Sequence, residues 1–338
     1  MAPTDAAGRR RVVRAPNHLG DVVTALPALV ADGSDVMVRR WLAPLLEMAA
    51  LPGQVHPLDR GSSGWLGAVR LLRRRAFEEG VLLTPSFSAA WLFRWGGVAR
   101  LRGTDTDGRG WLLADAVPRE ALRGHRRIDQ YRLLLGRATG APAGGPTLTP
   151  PRELLERWRK SLGDGGPLVG LVPGSNAPAR RWPPDRFAAV ARALIARGCR
   201  VAVLGSAAEQ PITDRVCAAA PGSRNEGGKT DLRSLAAVLS LCRVVITNDT
   251  GPMHLAGAVG ARTVTLWGPS DPDEVAHQGE AQPWARGAGL PCQPCFKNHC
   301  PRSGPGTMLP EAYEECMRLI DVERVLASVQ NVCEGGRT

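Results

Sequence analysis

The chain is poor in aromatic residues, at 5%, and almost without lysine. Of 338 residues only Lys160, Lys229 and Lys297 carry an ammonium group, and tyrosine occurs twice. It holds no run of about 18 uncharged apolar residues, which excludes a transmembrane helix. Its opening stretch, MAPTDAAGRRRVVRAP, lacks the apolar segment of a signal peptide, so a cytosolic location is expected. No G-x-G-x-x-G follows the first strand-like run, which disfavours a nicotinamide-dependent dehydrogenase. Nothing recurs at a period of about 20–50 residues, so a solenoid is excluded. Zinc-finger spacing and aromatic-interleaved RNA motifs are also missing, and no nucleic-acid partner is expected.

What is present is an ordinary globular balance. Hydrophobic residues make up 43% of the chain, and the length suits about two domains. The net charge is +11, carried almost wholly by arginine. Either the arginine bias of a GC-rich genome accounts for this, or a basic face does. The functional version of such a face meets anionic lipid headgroups or phosphorylated sugars. Cys199, Cys217 and Cys242 lie in apolar surroundings and read as buried thiols.

Short apolar runs alternate with helical periods. Arg10–Pro16 is a β-branched run. In the next segment Val22, Val23, Leu26, Leu29 and Val30 share one helical face. DVMVR is strand-like, Trp65–Arg75 helical, and Val81–Leu83 and Val98–Leu101 strand-like; a helix starts near Arg126. The Pro- and Gly-rich APAGGPTLTPP is the candidate linker. Beyond it the alternation restarts through PRELLERWRKSLG, PLVGLVPGS, PPDRFAAVARALIARG and CRVAVLGS, and continues to RVVITND and RTVTLWGPS. Continuous apolar strands, each followed by a helix, predict parallel sheets covered on both faces. The fold class expected is therefore α/β, with two Rossmann-like doubly wound domains facing a cleft.

Ligands of open α/β sheets bind beyond the carboxyl ends of strands. The polar knots fall there, at Asn17–Asp21, Gly174–Arg181, Asn248–Gly251 and Gly268–Asp271. In TNDTGPMH, Thr250 can cap a helix beginning near Pro252, and Gly251 admits close backbone approach. The free amides and dipole of that helix start favour phosphate; an ordinary cap without ligand is the alternative. Arg180 and Arg181 suit phosphate oxygens through their planar forks, or serve as surface residues in an arginine-rich chain. Asp21, after Gly20, either complements a helix dipole or takes a proton from an attacking hydroxyl. His18 is a rival base.

These segments, APNHLGDVVTALPAL, GSNAPARRWPPDRF, GGKTDL and TNDTGPMHLAGAVGARTVTLWGPSDP, resemble the ordered motifs of the ADP-heptose:lipopolysaccharide heptosyltransferases of glycosyltransferase family 9. The resemblance covers about residues 11–330, and Pro16-Asn17 is similar to the heptosyltransferase II branch. It implies the GT-B fold: an acceptor-binding domain over 1–145, a sugar-nucleotide domain over 151–318, and a helix over 319–338 packing back toward the N-terminal domain. It further implies an inverting transfer of heptose from ADP-heptose to a lipid-linked lipopolysaccharide core acceptor. Peripheral contact with the cytoplasmic face of the inner membrane would accompany it. Carried over by motif, Asp21 is the base, and Asn17, His18 and Gly20 border the acceptor. Ser175, Arg180, Lys229, Thr230, Asp249, Thr250, Gly251 and His254 border the donor. Arg180 stands where members usually have a lysine. No cofactor is required, because cationic groups and amides can take the place of a divalent metal.

Cys292, Cys295, Cys300 and Cys316 form a separate cluster that opens with C-x2-C. They are candidates for a structural zinc site, with free thiols or redox-dependent pairing as the alternatives. Other functional readings are a family-9 transferase with a different sugar or acceptor, a sugar-nucleotide epimerase, and a non-catalytic nucleotide-sugar-binding protein.

Overall fold

The computed structural model describes residues 10–140, 148–276, 284–286, 290–300 and 315–334. The chain divides into two units, Met1–Leu148 and Thr149–Thr338. The division falls in the Pro- and Gly-rich stretch, of which residues 141–147 lie outside the described residues.

The N-terminal unit runs β1 (Arg11–Arg14), α1 (Leu19–Asp32), β2 (Asp35–Arg39), α2 (Ala43–Met48), β3 (Val55–Leu58), α3 (Gly61–Arg75), β4 (Glu79–Leu82), α4 (Phe87–Trp95), β5 (Arg100–Thr104), β6 (Asp115–Val117) and α5 (Arg127–Leu134). The strands pair in parallel in the order β3-β2-β1-β4-β5-β6. Val13 of β1 lies opposite Val36 on one side and Val81 on the other. Such a central strand, covered on both faces, needs a continuous apolar run rather than an alternating one; Val12 and Val13 are fully buried. Helix α1 buries Val22, Val23, Leu26 and Leu29, and ends where Gly33 adopts φ +75° and returns its N–H to the Leu29 carbonyl at 3.1 Å. Only a residue without a Cβ takes that turn cheaply.

The C-terminal unit runs α6 (Arg152–Leu162), β7 (Leu168–Val172), α7 (Pro184–Ala196), β8 (Arg200–Val203), α8 (Gln210–Ala219), β9 (Arg224–Asn225), α9 (Leu232–Leu241), β10 (Val244–Asn248), α10 (Gly251–Ala258), β11 (Arg262–Trp267), α11 (Pro272–Val275), β12 (Trp284–Arg286), α12 (Glu315–Arg318) and α13 (Val322–Glu334). Its strands are again parallel, in the order β9-β8-β7-β10-β11-β12. Both units therefore share the doubly wound order in which the first and fourth strands are neighbours. The core of this unit gathers Leu171, Phe187, Val203, Ile246 and Leu266 with Val325 and Val329 of α13.

Two differences from expectation have physical causes. The strand expected over Val98–Leu101 forms at Arg100–Thr104, because the Val98 N–H bonds the Phe93 carbonyl at 3.1 Å and so closes the end of α4. Helix α4 itself, FSAAWLFRW, is apolar nearly all round and shows no clean period. The last helix lays its apolar stripe on α7 and on β10–β12 of its own unit.

Candidate active site

In a doubly wound sheet the crevice lies where the strand order reverses, beyond the carboxyl ends. In the C-terminal unit that point lies between β7 and β10. Strand β7 runs into Pro173-Gly174-Ser175 and β10 into Asn248-Asp249-Thr250. The Asn248 side chain, fully buried, joins the two. Its oxygen accepts the Trp182 backbone N–H at 3.1 Å, and its amide nitrogen donates to the carbonyls of Pro173 at 2.8 Å and Gly174 at 3.3 Å. Trp182 fastens the far end of the same loop. Its indole N–H donates to the Ile320 carbonyl at 3.0 Å, and its ring meets Phe187 edge-on at 5.1 Å. At Gly174 a Cβ would come within 2.1 Å of Glu209 Oε1. That carboxylate is already engaged in a capping box with Ser206.

The loop so anchored delivers Arg180 to Asp249. The guanidinium Nη1 lies 3.1 Å from Oδ2 of Asp249, and the Ser270 hydroxyl donates to the same oxygen. Asp249 is 3% exposed. Burial pushes its pKa up, while Arg180 and then Ser270 pull it down; the net direction is upward. Arg180 keeps 26% of its side chain exposed, and among the described residues its buried Nε has no hydrogen-bond partner. The expected division of labour, with Asp249 on sugar hydroxyls and Arg180 on diphosphate, therefore starts from an ion pair between the two.

Next to this pair α10 begins. Thr250 occupies the N-cap with extended backbone, φ −155° and ψ 170°, and its hydroxyl makes no capping bond. Its carbonyl accepts the Met253 N–H at 3.0 Å. Among the described residues none accepts the N–H of Thr250 or Gly251. Two amides and the positive end of the helix dipole are therefore available to an anion.

The other expected donor residues are placed differently. Ser175 is buried; its hydroxyl accepts the Ala177 N–H at 3.2 Å and its carbonyl takes the Arg181 Nε–H at 2.8 Å, so it shapes the loop. His254 is buried on α10. Lys229 and Thr230 follow β9, at the far edge of the sheet. The Lys229 ammonium donates to the Asn225 carbonyl and lies 4.0 Å from Glu226.

The N-terminal unit has its own reversal, between β1 and β4. Asn17 bridges it. Its oxygen accepts from Arg14 and its amide donates to the Thr84 hydroxyl at 3.3 Å. Arg14 is buried and also donates to the carbonyls of Ala15 and Met37. Burial first, and then Arg39, pull its pKa down. Among the described residues its guanidinium is held by neutral oxygens rather than by a carboxylate. His18 is exposed at the N-cap of α1, with Gly20 and Asp21 half-buried in the first turn. The Tyr131 hydroxyl of α5 donates to Asp21 Oδ1 at 3.1 Å. Burial raises the Tyr131 pKa well above its ordinary value, and the Asp21 charge adds to this. The phenol is thus a neutral donor that fixes one carboxylate oxygen.

Sequence reasoning missed Tyr131, Ser270, Arg14 and Thr84. Ser270 lay within a recognised polar knot. Tyr131 offered only its rarity as a signal. Among the described residues no group of three or more His, Cys, Asp or Glu could hold a metal ion. Cys316 is buried on α12 in the hydrophobic core. A Cβ on Gly268 would lie 3.1 Å from its sulfur.

Two doubly wound units, one with an amide-lined helix start beside a buried acid–arginine pair, define a GT-B glycosyltransferase framework. The profile of glycosyltransferase family 9 (heptosyltransferase) matches residues 65–304. The lipooligosaccharide heptosyltransferase 2 of Haemophilus influenzae is 30% identical over 266 residues, 70% of this chain and 75% of that protein. The lipopolysaccharide heptosyltransferase 2 of Salmonella typhimurium is 29% identical over 71% and 75%. The solved structure of the E. coli ADP-heptose lipopolysaccharide heptosyltransferase II superimposes with a TM-score of 0.82 at 22% identity, covering 97% of this chain and all of that one. The chain belongs to glycosyltransferase family 9, and it is a transferase.

Proposed function

We propose that this protein transfers heptose from ADP-heptose to an inner-core sugar of a lipid-linked lipopolysaccharide acceptor. The observation that carries the reading is the start of α10, where the Thr250 and Gly251 amides adjoin the Arg180–Asp249 pair. The relatives' names supply the donor and acceptor. Asp21, oriented by Tyr131, takes the proton of the acceptor hydroxyl. The hydroxyl oxygen forms the new bond to the anomeric carbon while the bond to the diphosphate breaks, inverting that centre. The departing charge is met by the amides of Thr250 and Gly251, the dipole of α10 and the Arg180 guanidinium. Each positioned donor of this kind lowers a barrier by roughly 2–4 kcal/mol. These groups take the part a divalent metal plays elsewhere, so turnover is expected to survive EDTA. The acceptor's lipid anchor places the reaction at the cytoplasmic face of a membrane.

A thermal-shift series with ADP, UDP, GDP and CMP, followed by ADP release from ADP-heptose with heptose-deficient lipopolysaccharide, tests the reading. ADP should stabilise most, and release should depend on acceptor. Equal shifts from all four nucleotides, or no acceptor-dependent release, would overturn it.

A further inference from the structure

The N-terminal unit carries an aromatic strip that rests on the core through Trp65 and Phe87 and opens outward through Trp91, Trp95 and Trp111. Phe87, Trp91 and Trp95 recur every fourth residue on α4 and so share one face. Trp65 of α3 meets Trp95 at 5.8 Å between centroids. Trp111, in the loop after β5, meets Trp91 at 6.3 Å and Phe87 at 6.4 Å. Trp91 stacks on Phe87 at 6.0 Å and touches Trp95 at 6.0 Å, which makes the strip continuous. Trp91, Trp95 and Trp111 are 36%, 49% and 70% exposed. In a chain with only 5% aromatics, this concentration of open indole surface marks an interaction site.

The two helices carry charge of one sign; acids enter only from the Trp111 loop, where Asp107 accepts the Phe87 N–H at 2.6 Å and Asp105 lies beside Gly110. Helix α3 contains four arginines and α4 one, and neither contains an acid. Arg70, Arg73, Arg74 and Arg94 are exposed. Arg73 donates to the Trp95 carbonyl at 3.0 Å, which ties the basic row to the aromatic one. Indole rings partition to the level of lipid headgroups, with the ring in the acyl boundary and the N–H in the wet layer. Adjacent arginines are drawn to anionic headgroups. A second copy is a poor occupant, because a twofold contact sets the same patch against itself and brings arginine against arginine.

We infer that the face formed by α3, α4 and the Trp111 loop is a docking surface for an anionic lipid bilayer. The inference rests, for its purpose, on the lipid-linked acceptor proposed above, but the binding itself requires neither donor nor acceptor. It holds the enzyme at the surface where a lipid-anchored acceptor is presented.

The test uses the full-length chain with vesicles of phosphatidylcholine alone, or containing about 30 mol% phosphatidylglycerol, read by co-sedimentation. The protein should partition onto the anionic vesicles at least about tenfold more strongly than onto neutral ones. Arg70→Glu with Arg74→Glu, and separately Trp91→Ser with Trp111→Ser, should each lower that partition by at least about tenfold. Both variants should keep the wild-type melting temperature and turnover on a delipidated, water-soluble acceptor, and lose turnover on a vesicle-embedded one. Equal binding to both vesicle types, no binding, or undiminished binding by the arginine variant would overturn the inference. So would a dimer in sedimentation velocity that the tryptophan variant dissociates. Absence of transfer on either acceptor would defeat the functional reading, while vesicle partition would still decide the docking.

Discussion

Arg180→Ala isolates the Asp249 carboxylate, and its effect can be worked through. In the native protein Asp249 is 3% exposed and has two partners, the Arg180 guanidinium and the Ser270 hydroxyl. Removing one member of a buried pair costs about 3–5 kcal/mol. Because the Arg180 side chain retains 26% exposure, solvent screening brings the expected loss to about 2–3 kcal/mol. The pH dependence has a definite sign. Burial already holds the Asp249 pKa above its ordinary value, and loss of the nearest cation raises it further. A carboxyl whose folded pKa exceeds its unfolded one binds its proton first in the native state. Stability then falls as pH rises between the two values, and the whole penalty is present above the upper one. The variant's deficit should therefore be greatest near neutrality and shrink as pH falls toward about 4, the ordinary carboxylate range. Urea midpoints measured across this interval, for Arg180→Ala, Asp249→Asn and the double variant, provide the assay. The double variant should recover most of the loss, since an amide leaves no charge stranded. A deficit below about 1 kcal/mol, or one equal at every pH, would refute the claim that burial of an unpaired charge is the cause.

Asp21→Asn should lower turnover by about 10²–10⁴-fold with ADP affinity intact; calorimetric ADP titration beside an ADP-release assay checks both halves. Tyr131→Phe should lower kcat by about tenfold while leaving the donor KM unchanged, because the phenol orients the base without touching the nucleotide. Gly174→Ala should displace Glu209 from its capping box, at about 1 kcal/mol. That is a fall of about 2–4 °C in Tm for a unit of this size, and an unchanged melting curve would show the side chain moving without consequence. Cys242 should resist a disulfide reagent at mildly alkaline pH until the protein unfolds, since burial pushes its thiol up to about 12; mass spectrometry of the labelled native protein reads this directly.

Legibility differed with the length scale of the interaction. The strand–helix alternation was readable because strands buried on both faces must be continuous apolar runs, as LVGLV and VVITN are. The start of α10 was readable because Thr-Gly-Pro after a strand can do little else locally. Weak edge strands such as β6 and β9 were not, since a pairing of two or three residues leaves no pattern. The cysteines make a related point: C-x2-C spacing describes residues near in sequence, whereas the place of Cys316 in the hydrophobic core is set by the tertiary fold.

By itself, then, the amino-acid order determined that the chain alternates buried strands with helices, that polar knots sit at strand ends, and which knot leaves amides unpaired. Those properties depend on neighbours a few residues apart. Only the tertiary structure decided which knots meet. Parallel pairing sets β7 beside β10 and β1 beside β4. Asn248 can thus hold a loop that begins 75 residues earlier, Arg180 can pair with Asp249, and Tyr131 can reach an acid 110 residues away. The roles of these side chains follow from burial and proximity, which belong to the folded sheet and not to any stretch of the chain.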